Sequence, residues 1–189
     1  MESGRHCLAL VYVKTLRKVA RLEHCMRVNV NLSSYDAPNA PMTRRVLRGF
    51  DAATFAALRQ ERGLSVSDLA RLGDIGTSTI HAWEAGTRTP QVDLLARVMD
   101  VLGAAIDQVV CIDPEERYPG DWRVMKGMTQ PELAAAAKIA TTTLRAIERA
   151  DQSLSDHNAR TLAAVLGISV DTYHAAYRRA RNRPPGTQV

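Results

Sequence analysis

Aromatic residues are scarce in this 189-residue chain: two Phe, five Tyr and two Trp make up 5% of it. A β-sandwich or barrel would draw on more Tyr, Phe, Val and Ile, so the shortage, beside many Ala and Leu, points to packed short helices. Long apolar runs are missing too. Nowhere do about 18 consecutive apolar residues occur, which argues against a membrane-spanning helix. The apolar run Cys7–Val13 stops at Lys14 and no small-residue cleavage pattern follows, so it does not read as a signal peptide. Cysteine is limited to Cys7, Cys25 and Cys111, an odd number without a repeated short spacing. Those three alone build neither a disulfide framework nor a four-ligand zinc site, and the reducing cytosol suits them best. The adjacent pairs His6-Cys7 and His24-Cys25 lack the C-x2-C spacing of a zinc motif. No Gly-rich phosphate loop and no nucleophile-base arrangement is visible either. The expectation is therefore no catalytic residue, no metal and no cofactor.

What is present is 46% hydrophobic residues, too many for a disordered chain, and a net charge of +5. The charge is unevenly placed. Residues 1–41 carry a net +3, residues 42–112 are neutral, and residues 113–189 carry +2. The first segment also holds two of the cysteines and ends in the polar, proline-broken stretch 33–41 before Met42. It reads either as a poorly ordered N-terminal arm or as the product of a start codon assigned too early, with Met42 the true start.

Beyond it the pattern is helical and segmented. Asp51 is placed to cap a helix carrying Phe55, Leu58 and Arg59, which Gly63 ends. Ser65 caps a second, with Asp68 three residues on as a short-armed capping box. A third carries Ile80 and Trp83 up to Gly86 and Pro90, and Leu94, Leu95, Val98, Val101 and Leu102 fall at helical spacing in a fourth. The stretch Asp113–Gly120, with two Pro, a Gly and alternating charges, is a linker. After it the grammar restarts. A shift of 64 residues lays Leu64–Gly103 on Met128–Gly167 without a gap, with about a quarter of positions identical. Arg59 and Gly63 meet Arg123 and Gly127, and Glu84 meets Glu148. The chain is a tandem duplication.

Leu58-Arg59, Arg62-Gly63-Leu64-Ser65, Asp68-Leu69-Ala70, Ile75, Ser78-Thr79-Ile80, Trp83-Glu84, Gly86 and Pro90 together resemble the Cro/C1-type (XRE) helix-turn-helix regulators over about 45 residues. The second copy shows the same resemblance through Arg123, Lys126-Gly127-Met128-Thr129-Gln130, Glu132-Leu133-Ala134, Ile139, Thr142-Thr143-Leu144 and Ile147-Glu148. The resemblance implies an all-α fold, two lambda-repressor-like five-helix domains in tandem. The first spans 42–112 and the second 121–178, with linker 113–120 and a basic, proline-containing tail 179–189. There are departures. Val66 stands in copy one where the family often has the Gln found in copy two as Gln130. Gly73-Asp74 replaces a usual Leu-Gly pair, suggesting an altered turn; Ala150 replaces the closing Gly of copy two, and Pro119-Gly120 shortens its first helix.

By the same resemblance one short helix of each copy enters the DNA major groove. Ile80 and Trp83, like Leu144 and Ile147, face inward, which leaves Thr77, Ser78, Thr79, His81 and Ala82, and Thr141, Thr142, Thr143, Arg145 and Ala146, facing out. Hydroxyls suit phosphates or bases, a Thr methyl suits the thymine methyl, and Arg145 suits guanine. The competing reading of Thr141–Thr143 is capping of the helix start. Glu84 and Glu148 brace the fold, against Arg59 and Arg123. Phosphate candidates are Arg44, Arg45, Arg48, Arg62 and Gln130, and toward the tail Arg178, Arg179, Arg181 and Arg183. The expected partner is double-stranded DNA, in a cytoplasmic, nucleoid-associated regulator of bacterial or phage origin acting as a repressor. An antitoxin-like or anti-activator module, in which one copy pairs with itself or binds a protein, is the alternative. No small-molecule ligand and no membrane contact is expected.

Overall fold

The computed structural model describes residues 47–187. The leader, with both His-Cys pairs, Met42, Arg44 and Arg45, lies outside the described residues. The described residues fall within one compact unit. Among the described residues there is no strand, only one antiparallel bridge between Phe50 and Val110. No described helix is long and apolar enough to cross a membrane.

Copy one consists of α1 (Ala52–Glu61), α2 (Val66–Leu72), α3 (Thr77–Glu84) and α4 (Val92–Val101), then a 3-10 turn at Ile106–Gln108. A second 3-10 turn, Pro114–Glu116, leads into copy two: α5 (Pro119–Met125), α6 (Gln130–Ala136), α7 (Thr141–Glu148), α8 (Asp156–Leu166) and α9 (Val170–Arg181). The caps are local and chemical. Asp51 accepts from the amides of Ala53 and Thr54, and Ser65 accepts from that of Asp68 at 3.0 Å while its hydroxyl donates back to the Asp68 carboxylate at 2.6 Å. Those Ser65 bonds, with Arg71 next, hold the Asp68 carboxyl below its ordinary pKa. Thr129 and Glu132 form the same box at the head of α6. Pro119 and Pro131 both sit in a first helical turn, where a missing N–H breaks no intrahelical bond.

The duplication extends to the backbone. Left-handed φ values recur in the 64-residue register: Gly63 and Gly127 both at 67°, Asp74 at 50° with Lys138 at 55°, Gly86 at 67° with Ala150 at 56°. The interhelical turn of copy one is thus not altered by Asp74, which adopts the left-handed geometry the family's glycine would supply. Ala150 likewise holds the closing conformation despite its Cβ, and the turn is gripped from outside. Arg181 donates to the Ala150 carbonyl at 2.7 Å, Arg183 to that of Arg149, and the Tyr177 hydroxyl to that of Gln152 at 2.8 Å.

The copies differ in their fifth element. In copy two α9 runs for 12 residues, past the expected domain end at 178, with Ser169 capping it through the Thr172 amide. In copy one the equivalent of Ser169 is Ala105, which has no capping oxygen, and the helix stops after a single 3-10 turn. Val110 then pairs with Phe50 in the antiparallel bridge. Asp51 donates its amide to the Val109 carbonyl at 2.7 Å and Cys111 donates to that of Gly49 at 2.8 Å.

The first helix of copy two packs on the core of copy one. Val124 is buried in the core of copy one, among residues that include Leu95, Met99, Ile106 and Val110, with Met125 packed against it. One residue earlier, Arg123 points into copy two, and Trp122 packs on the core of that copy, around Leu133, Leu144, Leu162 and Tyr173. The junction is held by arginines. Arg48 pairs with Asp121 at 3.0 Å and lies 4.4 Å over the Tyr118 ring. Arg117 donates to the Ile112 carbonyl, and Arg179 reaches back to the carbonyl of Arg117 at 2.9 Å.

Lys138 is exposed and left-handed, so its Cβ is strained with no packing to offset it. Lys138→Gly is expected to raise stability by about 0.5–1 kcal/mol in chemical denaturation, the relief of strain exceeding the entropy of the added glycine.

Candidate nucleic-acid interface

Helices α3 and α7 are built alike. Ile80 and Trp83 are buried on the inner face of α3, with Trp83 edge-on to Phe55 at 5.8 Å, and Leu144 and Ile147 are buried on that of α7. With the inner faces fixed, helical periodicity turns the remaining side chains outward. Thr77, Ser78 and His81 are exposed and Thr79 half-buried; Thr142 and Arg145 are exposed, Thr141 and Thr143 half-buried. The structure therefore gathers the eight base-reading candidates on two short helical faces, four on each.

These two helices begin without a side-chain cap, as α4 does at Gln91 and α5 at Tyr118. The N-cap of α3 is Gly76 and that of α7 is Ala140, neither with a side-chain capping bond, whereas side chains of Asp51, Ser65, Thr129, Ser155 and Ser169 cap α1, α2, α6, α8 and α9. The hydroxyls of Thr141–Thr143 do not cap α7. Among the described residues none of the five Thr and one Ser hydroxyls at the starts of α3 and α7 makes a hydrogen bond. The Thr79 amide bonds the Gly76 carbonyl at 2.9 Å, while the hydroxyls of both first turns stay unengaged, an arrangement that suits phosphate oxygens and base edges. The small residues at 76 and 140 were the sequence signal for this, and reading for helix caps alone passes over it.

Each reading helix is tied to the first helix of its copy by one bidentate bond. Arg59 Nε donates to Glu84 Oε1 at 2.6 Å and Nη2 to Oε2 at 3.1 Å, while Nη1 donates to the Leu64 carbonyl at 2.7 Å. Arg123 and Glu148 repeat this in copy two at 2.6 and 3.4 Å, with Nη1 on the Met128 carbonyl at 2.7 Å. One side chain thus fixes the end of the reading helix and the loop entering the second helix. The Glu84 bond raises the pKa of the Arg59 guanidinium above its ordinary value. The environments differ: Arg123 and Glu148 are 6% and 2% exposed, Arg59 and Glu84 12% and 16%. Gln130 deepens the difference by donating its amide to Glu148 Oε2 at 2.6 Å, a partner that Val66 cannot supply in copy one.

The phosphate candidates are dispersed. Arg62 is exposed at the end of α1 with a single 3.4 Å bond to the Gly103 carbonyl, and Arg178 is exposed on α9. Arg179 directs its Nε and Nη2 at the linker carbonyls, and Arg48, Arg181 and Arg183 bond main-chain oxygens too. Most of the arginines near the junction and the tail therefore hold the fold together. Arg48 and Arg183 stand beside Gly49 and Pro184, positions that gave no warning of that role.

Removing one partner of a buried ion pair strands the other, whereas a partly wet pair is screened. Glu148→Ala is expected to cost about 3–5 kcal/mol. Glu84→Ala should cost less, about 1–3 kcal/mol, in parallel urea titrations.

A family model described as helix-turn-helix matches the chain twice, over residues 55–109 and 121–173. No curated protein matches the sequence. The two matched segments cover more than half the chain and coincide with the two copies, each centred on its reading helix. The chain belongs to the Cro/C1-type helix-turn-helix family of DNA-binding regulators, with the family's domain present twice in tandem.

Proposed function

We propose that this chain is a sequence-specific transcriptional repressor of the bacterial or phage kind that acts in the cytoplasm and engages DNA through both modules. The observation that carries the reading is the pairing of uncapped helix starts with outward hydroxyls on both α3 and α7. Ser78 and Thr142 occupy the exposed second positions, and their neighbours Thr77, Thr79, Thr141 and Thr143 line the first turns for phosphates, thymine methyls or base edges. His81 and Arg145 stand one turn further along. Arg145 is exposed and suited to bidentate contact with guanine, while His81 offers one ring nitrogen at the same place in copy one. Arg62 and Arg178, with Arg44 and Arg45, add phosphate contacts outside the reading helices. The arginine-held junction keeps both modules on one body, so binding by one raises the local concentration of the other at its half-site. Repression is the simplest consequence of such occupancy, through competition with polymerase for the same DNA.

In vitro selection of genomic fragments, followed by footprinting at moderate salt, tests the proposal. A bounded protected site is expected; folded protein that selects no site refutes it. Arg145→Ala should relax base preference at one position and weaken binding there by about 1–3 kcal/mol, leaving the other positions intact. Equal binding of the variant to every substituted site rejects the assigned role.

A further inference from the structure

We infer that the two modules read half-sites that run in the same direction along one duplex, rather than an inverted pair; the inference rests on the proposal that both modules engage DNA. Two like modules docked in the same way on one duplex are related either by a dyad, which gives inverted half-sites, or by a translation with rotation along the helix, which gives direct ones. A dyad requires each copy to present the same patch to its partner.

The contact between the copies is made from unlike surfaces. Copy one contributes α4 and its 3-10 turn, and copy two contributes α5 and the glycine that follows. A Cβ placed on Gly127 would lie 2.9 Å from Ala96 Cβ and 3.2 Å from Ile106 Cδ1, yet one placed on the equivalent Gly63 meets nothing within 4 Å. Side-chain chemistry follows the same asymmetry. Val124 and Met125 pack on copy one, whereas their counterparts Gln60 and Glu61 are exposed and polar. The counterpart of Ala96 in copy two is Arg160, exposed and charged, and that of Ile106 is Val170, the first residue of α9. Neither half of the contact exists in reverse, so no dyad relates the modules. The ends are also closed: copy one offers a polar α1 and copy two a completed fifth helix, which keeps this head-to-tail contact from propagating into a chain of molecules. Arg48, Arg117 and Arg179 add an ion pair and main-chain hydrogen bonds at the junction, which favours the same arrangement on DNA.

The outward faces of α3 and α7 differ so little that the direction can be read off a selected site. Thr77, Thr79 and Ala82 already match Thr141, Thr143 and Ala146. Ser78→Thr with His81→Arg, both exposed, therefore gives the two modules one reading face in the otherwise intact chain. In vitro selection with that double variant is expected to return one short sequence twice in the same orientation, and reversing either copy should weaken binding roughly tenfold or more. The reciprocal double variant, Thr142→Ser with Arg145→His, should return a different short sequence, again repeated in the same orientation. Two copies in inverted orientation from either variant overturn the inference while leaving two-module binding intact. A single copy, with a footprint one module long, overturns two-module binding itself and the inference with it.

Discussion

Val124 belongs by sequence to the second copy and by packing to the first. Copy one has lost its fifth helix to a 3-10 turn, and a domain of about 60 residues has little core to spare. Burial of a valine side chain contributes about 1.5–3 kcal/mol, a sizeable part of the stability of so small a domain. Helix α5 provides that burial on one face, while its neighbouring residues Trp122 and Arg123 turn into copy two. A single seven-residue helix thus serves two cores. The fixed geometry of the junction, the asymmetry of the contact and the closure of both ends all follow from this sharing.

Within each copy the comparable constraint is the bond between Arg59 and Glu84, or Arg123 and Glu148, at the same separation of 25 residues. It lets the reading helix begin without a cap. Helix ends are ordinarily satisfied locally, as at Ser65 and Thr129, and at those positions an outside ligand finds the first-turn amides already engaged. Anchoring α3 and α7 at their far ends, through Glu84 and Glu148, and along their inner faces, through Ile80, Trp83, Leu144 and Ile147, leaves their first-turn hydroxyls unengaged. Copy two carries the more deeply buried version of the bond and adds Gln130 to it, so the residue that resembles a phosphate ligand in the family is here hydrogen-bonded to the buttress.

Much of this was written plainly in the chain. Caps at Asp51 and Ser65, the inward Ile80 and Trp83, the 64-residue repeat and the pairing of Arg59 with Glu84 all follow from local chemistry and spacing, and each is present. The left-handed turns at Asp74, Lys138 and Ala150 were obscured because residues with a Cβ stand where glycine is usual, and the demand of the fold overrides their preference. The arginines were hardest to read. Arg48, Arg179, Arg181 and Arg183 look like a basic surface in sequence, yet their guanidiniums meet carbonyls 31 to 68 residues away, a separation no local pattern encodes. One sign of the shared helix was nevertheless available: Gln60-Glu61 in copy one becomes Val124-Met125 in copy two, polar residues giving way to apolar ones at positions that face solvent in one copy and a neighbour in the other.

Hydrogen exchange on the full chain carrying Val124→Asp tests most directly whether the two copies form one body. A carboxylate in that apolar core is expected to cost several kcal/mol. The amides of α4 in copy one should then lose protection together with those of α5, although the substituted residue lies outside the copy-one match. Loss of protection confined to copy two, with α4 exchanging as in the unaltered chain, would contradict the shared core and the fixed junction built on it.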